Sequence, residues 1–343
     1  MGLLKANTSY LGIDIGSNGV KIVELAKKEG KPTLLNFGFS EDMNHQENDW
    51  INDPKKVAKI ITKICSDSGI SSKNVISALP TFSVFSSIIS LPDVSKKDLE
   101  PAIQWEAKKV IPLPLEEMIL DWKKIEDANV KINKYLLTGA PKVLVKGYLD
   151  TFREAEMNLL SLETETFSLI RSLLGNDKSS IMIVEIGAST TDVSVIENSI
   201  PIFSRSIDLG GNTITKSIGD HLGIGLERAE QFKYDLGVSS DEAQKDVVPQ
   251  AIIKTITSVV NEIKYANSMY ENKSGKSIDK IVLSGGSVLL PGLVNYLIKI
   301  LNKNVMIGDP WAHVVCPDDL KPLLNEIGAR MSVAVGLALR NIY

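Results

Sequence analysis

Residues 13–25, Ile13-Asp14-Ile15-Gly16-Ser17-Asn18-Gly19-Val20-Lys21-Ile22-Val23-Glu24-Leu25, decide the fold. Their plan returns about half a chain later in residues 184–192, Val184-Glu185-Ile186-Gly187-Ala188-Ser189-Thr190-Thr191-Asp192. Each stretch is an apolar strand carrying a carboxylate, then a turn of small residues, then a second strand, which is a β-hairpin signature. Two copies of one supersecondary unit at this spacing predict a duplicated fold with a cleft between its halves.

Outward from the first copy, a Lys-rich turn leads to a third strand near 32–40. Residues 54–67 place Val57, Ile60, Ile61 and Ile64 on one helical face, and 75–80 read as a strand. The texture then changes. A strand over 82–91, a helix over 95–110, strands over 117–125 and 132–139 and a helix over 142–158 form a compact insertion. A helix over 163–174 leads to the second copy. After it come a helical region over 212–272, a strand at 280–286, a helix from about 291, a strand near 304–307 and a C-terminal helix over 320–342. The class is α/β with mixed sheets.

With 38 basic and 42 acidic side chains among 343 residues, the formal charge is −4. No clustered Lys/Arg excess marks a nucleic-acid surface, so nucleic acid is not expected as a partner. The two cysteines, Cys65 and Cys316, and the three histidines, His45, His221 and His313, fall outside zinc-ligand spacing. No apolar run approaches the ~18–20 residues of a membrane span, and no signal peptide is visible. The expectation is a cytoplasmic protein whose association with any membrane would come through a partner.

A turn of small residues lets backbone N–H groups converge on an anion. Asp14, at the end of the incoming strand, is placed to hold a hydrated Mg2+, and Lys21, on the outgoing strand, to reach a phosphate oxygen. Taken alone, the turn reads equally as an ordinary Asn-Gly hairpin. The second turn offers Glu185, and Asp192 is spaced to orient a metal's water shell. Two such turns face to face would clamp a polyphosphate, which one cannot do. Ser284-Gly285-Gly286-Ser287 would let a base or ribose lie on bare backbone, although it also reads as a plain strand-to-helix turn. Beyond Gly210-Gly211, Glu230 and Lys233 stand at i and i+3, able to embrace a nucleoside or to form a surface ion pair. No Walker A or Rossmann glycine pattern sits at a strand–helix junction.

The segments DIGSNGVKIVEL, EIGASTTDVSVIE, LGGNTIT with GLERAEQFK, and IVLSGGSVLLPGL occur in the order found in the actin-like ATPases, and together they resemble that superfamily. The phrase LEPAIQWEAKKVIPLPLEEMILDW is similar to the PilM family of type IV pilus assembly proteins, whose inserted subdomain resembles that of the cell-division protein FtsA. The resemblance implies an actin-like (ribonuclease H-like) duplicated fold. Domain 1 would take 1–81 and 157–178 (subdomain 1A), with the C-terminal helix over 320–343 packing back on it. An inserted subdomain 1C would span 82–156 and domain 2 would span 179–319, its subdomain 2B covering about 212–272.

It further implies ATP with Mg2+ in the cleft. Asp14, Gly16, Ser17, Asn18 and Lys21 would form the first phosphate site, and Gly187, Ala188, Ser189 and Thr190 the second. Gly210, Gly211, Glu230, Lys233, Gly285, Gly286 and Ser287 would line the nucleoside end. Asp14, Glu185 and Asp192 would hold the metal through water, with Glu185 also positioning an attacking water. Such proteins are adaptors. The expected partners are the N-terminal cytoplasmic peptide of a PilN-type inner-membrane protein and the pilus motor ATPases, with self-association open. The expected docking site is a groove between the insertion and the first half, with Trp105 and Trp122 as candidate anchors.

One departure matters. The strand before the second turn usually ends in Asp and here ends in Glu185, whose extra methylene carries the carboxylate ~1.5 Å further. In-line attack tolerates such a shift poorly, so slow or negligible ATP turnover is expected. Two other readings compete: an FtsA-like polymerising protein, and a small-molecule kinase of the same fold. The kinase lacks an evident general base, since Glu163 and Glu165 would point to different faces of the expected helix.

Overall fold

The structure, a computed structural model, describes residues 8–40, 53–125, 133–238 and 247–342. Residue His45 and the start of the strand expected over 132–139 lie outside them. β1 (Ser9–Gly16), β2 (Gly19–Lys28) and β3 (Lys31–Ser40) form an antiparallel meander. The chain returns through α1 (Pro54–Asp67) to β4 (Asn74–Leu79), parallel to β1. Asp53 caps α1 by accepting from the Lys56 N–H at 3.1 Å, and Val57, Ile61 and Ile64 are buried against the sheet.

The insertion folds as β5 (Phe85–Leu91), α2 (Leu99–Val110), β6 (Met118–Ile125) and β7 (Asn133–Pro141). It makes an antiparallel sheet of order β5-β7-β6, on which α2 buries Ile103 and Ala107. α3 (Lys142–Glu154) follows but spends Leu144, Tyr148 and Phe152 in the core of the first sheet.

Residues 163–174 are not one helix. The run 158–164 is β8 (Asn158–Thr164), parallel to β4 at the edge of the first sheet, whose order is β3-β2-β1-β4-β8. The open edge of β4 supplies a ladder of backbone hydrogen bonds, and that outweighs a leucine spacing compatible with either structure. α4 (Glu165–Leu169) begins only where β8 ends, and a π-turn over Ile170–Leu174 closes it.

The second half repeats the first. β9 (Ile181–Ile186), β10 (Thr191–Glu197) and β11 (Ile200–Ile207) form the meander. β12 (Lys280–Ser284) and β13 (Val305–Ile307) add in parallel, giving the order β11-β10-β9-β12-β13. The expected helical region is three helices, α5 (Gly211–Leu222), α6 (Leu226–Leu236) and α7 (Val247–Ser274), and α8 (Leu293–Leu301) follows β12. The matching strand orders establish the duplicated, actin-like α/β architecture.

α9 (Lys321–Leu339) is apolar on nearly every side because it is covered on nearly every side. Val333 and Leu337 join Ile76 and Ala78 of the first sheet to Ile183 and Val282 of the second in one core, so the helix fastens the two halves together. Among the described residues, no helix is long and apolar enough to cross a membrane.

α9 crosses β1 at Gly12, where a Cβ would lie 1.9 Å from the Ala334 carbonyl oxygen and 2.6 Å from the Ala338 nitrogen, both backbone atoms. Gly12→Ala must therefore push helix and sheet apart. A loss of about 1–3 kcal/mol is expected, read from the midpoint of urea unfolding, and an unchanged midpoint would contradict this packing.

Candidate functional site

Both hairpin turns open into one cleft between the sheets. Asp14, Gly16, Ser17, Asn18 and Lys21 line one wall of its inner part, a cavity of about 480 Å³, and Gly187, Ala188, Ser189 and Thr190 line the opposite wall. The second turn is braced by α5. The Gly211 N–H donates to the Gly187 carbonyl at 2.9 Å and the Asn212 N–H to the Ala188 carbonyl at 2.8 Å. Gly210 does not line this cavity: it lies under Ala188, where a Cβ would come within 2.5 Å of that carbonyl oxygen.

An adjoining cavity of about 360 Å³ gathers Gly211, Glu230, Lys233, Gly285, Gly286 and Ser287. Gly285 takes φ +91°, and a Cβ there would stand 2.4 Å from the Ile186 carbonyl oxygen. The Glu230–Lys233 pair is no surface pair. The Lys233 side chain is 2% exposed, and its Nζ donates to Glu230 at 2.7 Å, to Thr215 Oγ1 at 2.9 Å and to the Gly211 carbonyl at 3.3 Å. Burial lowers the Lys233 pKa, against the opposing pull of Glu230. The same cavity is completed by Phe39 of β3, by Tyr234, and by Ile327, Arg330 and Met331 of α9. The sequence pattern did not mark these, because each sits in a run that packs as ordinary strand or helix.

Between the cavities lies a concentration of acid. Asp14 accepts from Lys21 Nζ at 2.9 Å. That contact raises the Lys21 pKa even though burial pulls the other way. Glu185, Asp192 and Glu165 each bring a carboxylate oxygen within 4.8 Å of the other two. A single helix over 163–174 gives Glu165 no place in the cleft, and the end of β8 at Thr164 gives it one. At the head of α4 it faces the cleft, and its Oε2 accepts from the Thr81 N–H at 2.8 Å and the Thr81 hydroxyl at 3.0 Å. Burial, then the charges of Asp192 and Asp14, push its carboxyl up to about 8. Burial followed by Glu165 drives Glu185 well above the usual range, and burial brings Asp192 up to about 6. Glu185 Oε2 and Asp192 Oδ1 are shut from solvent without a hydrogen-bond partner.

A second concavity, about 490 Å³, runs between the insertion and the first half. One wall is β6 and β7, with Ile119, Trp122 and Thr138, and the other is β8 and α4, with Leu162 and Phe167. β6 and β8 are each the edge strand of their sheet. At its end Glu163 takes both Arg171 guanidinium nitrogens, at 2.8 and 2.9 Å, and Arg340 at 2.5 Å. Trp122 lines this groove. Trp105 stands on α2, 66% exposed and away from it.

The duplicated sheets and the cleft between them define an actin-like protein. A solved structure of MreB5 of Spiroplasma citri bound to AMPPNP shares this fold with a TM-score of 0.56 at 13% identity, covering 96% of this chain and 94% of that one. Residues 12–342 match the family of type IV pilus assembly protein PilM, and the chain belongs to that family. A solved PilM–PilN type IV pilus biogenesis complex aligns with a TM-score of 0.85 at 23% identity, over 97% of this chain and 98% of that one. Among curated relatives, the cell division protein FtsA of Streptococcus pneumoniae is 21% identical over 93% of this chain and 81% of its own length. The match to FtsA of Bacillus subtilis, at 23%, spans 60% of this chain and about half, 54%, of that protein.

The raised Glu165 pKa fixes a sign. A carboxyl that holds its proton more tightly when folded than the ordinary 4.5 contributes stability present below that value and lost as pH climbs towards 8. In chelator, the wild-type melting temperature is expected to fall between pH 5 and pH 8, and Glu165→Gln to flatten that fall. Parallel pH profiles for the two proteins would refute the assignment.

Proposed function

We propose that this chain is a cytoplasmic ATP-binding adaptor of type IV pilus assembly. It holds the N-terminal cytoplasmic segment of a PilN-type inner-membrane protein and links that membrane complex to the motor ATPases. The observation that carries the reading is the groove walled by two sheet edges, β6 and β8. Edge strands present unpaired N–H and C=O groups, and an extended peptide adds to such an edge as a further strand while its apolar side chains fill adjacent pockets. Trp122, Leu162 and Phe167 supply that apolar lining. The partner reading is supported by the likeness to the solved PilM–PilN complex.

In the same proposal, the halves 1–81 with 157–178 and 179–319 clamp ATP between them, 82–156 is the partner-binding insertion, and the helix over 320–343 belongs with the first half. The residues present fit a nucleotide. Gly211 and Gly286 bring backbone without side chains to the cavity where a base and ribose would lie, and the two turns offer backbone N–H groups towards the phosphates. Gly16, Ser17, Asn18 and Lys21 would hold one side of the phosphates and Gly187 to Thr190 the other. Glu230 and Lys233 would border the nucleoside with Gly286 and Ser287. Asp14, Glu185 and Asp192 would hold Mg2+ through water. Bound ATP would supply a polyphosphate for the turn N–H groups to hold and a scissile phosphoanhydride.

The first test is fluorescence anisotropy of a labelled N-terminal peptide from the PilN-type partner, with and without Mg-ATP. Saturable binding in the micromolar range or tighter is expected. Trp122→Ala should weaken it by about tenfold or more, while Trp105→Ala leaves it within about twofold. Absence of binding in both conditions would refute the adaptor reading, and equal losses for both tryptophans would refute the groove. Hydrolysis is expected to be slow because of Glu185. A single-turnover assay showing brisk cleavage that Glu185→Gln abolishes would overturn that expectation.

A further inference from the structure

On α2, Trp105 faces away from the sheet that the helix covers. The helix buries Ile103 and Ala107 in the core of the insertion, and at about 100° per residue both lie on the side opposite Trp105. No core position is open to this indole, and it is 66% exposed. Pro101, Lys108 and Lys109, at i−4, i+3 and i+4, share its outer face and are exposed with it. The acids of the helix are turned aside. Glu100 and Glu106 stand about 100° or more round from Trp105, and Glu106 accepts from Lys109 Nζ at 2.6 Å. Leu113, in the turn after the helix, is also exposed, as are Lys96 and Lys97 in the turn before it. Asp98 beside those lysines accepts from the Ser95 hydroxyl, and the next acids along the chain, Glu116 and Glu117, lie beyond Pro114 in the turn into β6.

We propose that the outer face of α2 is a bilayer contact, in which Trp105 enters the headgroup region of an anionic leaflet while Lys108 and Lys109 meet lipid phosphates. An exposed indole bracketed by lysines suits a membrane–water interface, where the ring sits among headgroups and the ammonium groups stay wet. The face is charged for it, since its lysines complement a negative cytoplasmic leaflet. The adaptor reading, on which this inference rests, already brings the insertion to a bilayer. β6 of the same insertion walls the groove offered to a segment of an inner-membrane protein. One indole and two lysines make a weak contact alone. Combined with the peptide tether they add to it, because each attachment raises the local concentration of the other.

The test uses the full chain, without peptide or nucleotide, and vesicles of phosphatidylethanolamine with about one third phosphatidylglycerol. Their acyl chains are brominated, so that a tryptophan entering the bilayer is quenched. Half-binding at roughly millimolar lipid or below is expected in a sedimentation assay, falling about fivefold in high salt. Trp105→Ala should lower the bound fraction about fivefold or more and remove the quenching, and Lys108→Glu should lower the bound fraction as well. Leu226→Ser, at an exposed leucine of α6, should bind as wild type does. Because both α2 positions point outward, their variants should keep the wild-type urea midpoint. No binding up to several millimolar lipid, equal binding to phosphatidylcholine vesicles, or binding and quenching that Trp105→Ala retains would overturn the proposal. A Trp105→Ala chain that keeps its vesicle binding and loses the motor ATPases would overturn it too, and would mark the face as a protein contact. Since the vesicles carry no peptide, failure here leaves the groove standing, and loss of peptide binding leaves the vesicle result unchanged.

Discussion

Helix α9 lies so close to its neighbours that only glycine fits at two crossings, Gly12 on β1 and Gly336 against α4. A Cβ on Gly336 would stand 2.0 Å from the Ser168 carbonyl oxygen. Backbone packed on backbone at this range leaves little room for sliding, so whatever α9 touches shares one frame. It touches the cavity beside Gly285 and the groove between the insertion and the first half. Its Ala329 carbonyl accepts from the Gly285 N–H at 3.0 Å, setting that glycine turn, while Ile327, Arg330 and Met331 line the adjoining cavity directly. The Gly336 carbonyl accepts from Arg171, and Arg171 together with Arg340, just past the helix end, grips Glu163 in the groove between β6 and β8.

Within that frame the two hairpins are built alike and charged differently. In the first, Asp14 stands opposite Lys21 in the antiparallel register, and the pair closes as an ion pair. In the second, Glu185 stands opposite Asp192, and like charges meet at the corresponding place. Directly opposed like charges destabilise a sheet, and burial magnifies the cost. The first hairpin is therefore electrostatically complete by itself, whereas the second is complete only with protons or a cation. Glu165 sharpens the imbalance, because it arrives from the other half and adds charge to the side that already has an excess.

The turn-bearing parts of this architecture were legible in sequence for a physical reason. A hairpin with a Gly-rich turn has a local pattern, and the Asp14 and Glu185 strands carried it twice. The carboxylate at each strand end and the Glu230–Lys233 spacing were equally local. Glu165 was hidden because its position depends on β8 pairing with β4, two strands more than 70 residues apart in sequence. Nothing within NLLSLETETF distinguishes an edge strand from a helix start until that pairing exists. Arg330 and Met331 were hidden for the opposite reason, since an almost uniformly apolar helix shows no face until its neighbours are known. α3 illustrates a third case. It follows the insertion's last strand directly, yet Tyr148 and Phe152 belong to the core of the first sheet, and only packing separates sequence neighbours of this kind.

The short segment Glu163–Thr166 brings these strands of argument together. Glu163 lies in the groove under Arg171 and Arg340, while Glu165 projects into the cleft. The two carboxylates are separated by one residue at a strand–helix junction, where side chains alternate between faces. Thr81, which holds Glu165 through its N–H and its hydroxyl, opens the link from β4 into the insertion. The charge state of the acid cluster and the seating of the insertion therefore act on the same few backbone atoms. The end of β8 walls the groove, and Thr81 opens the link into the insertion that forms its other wall, so the cleft and the groove meet at this one segment.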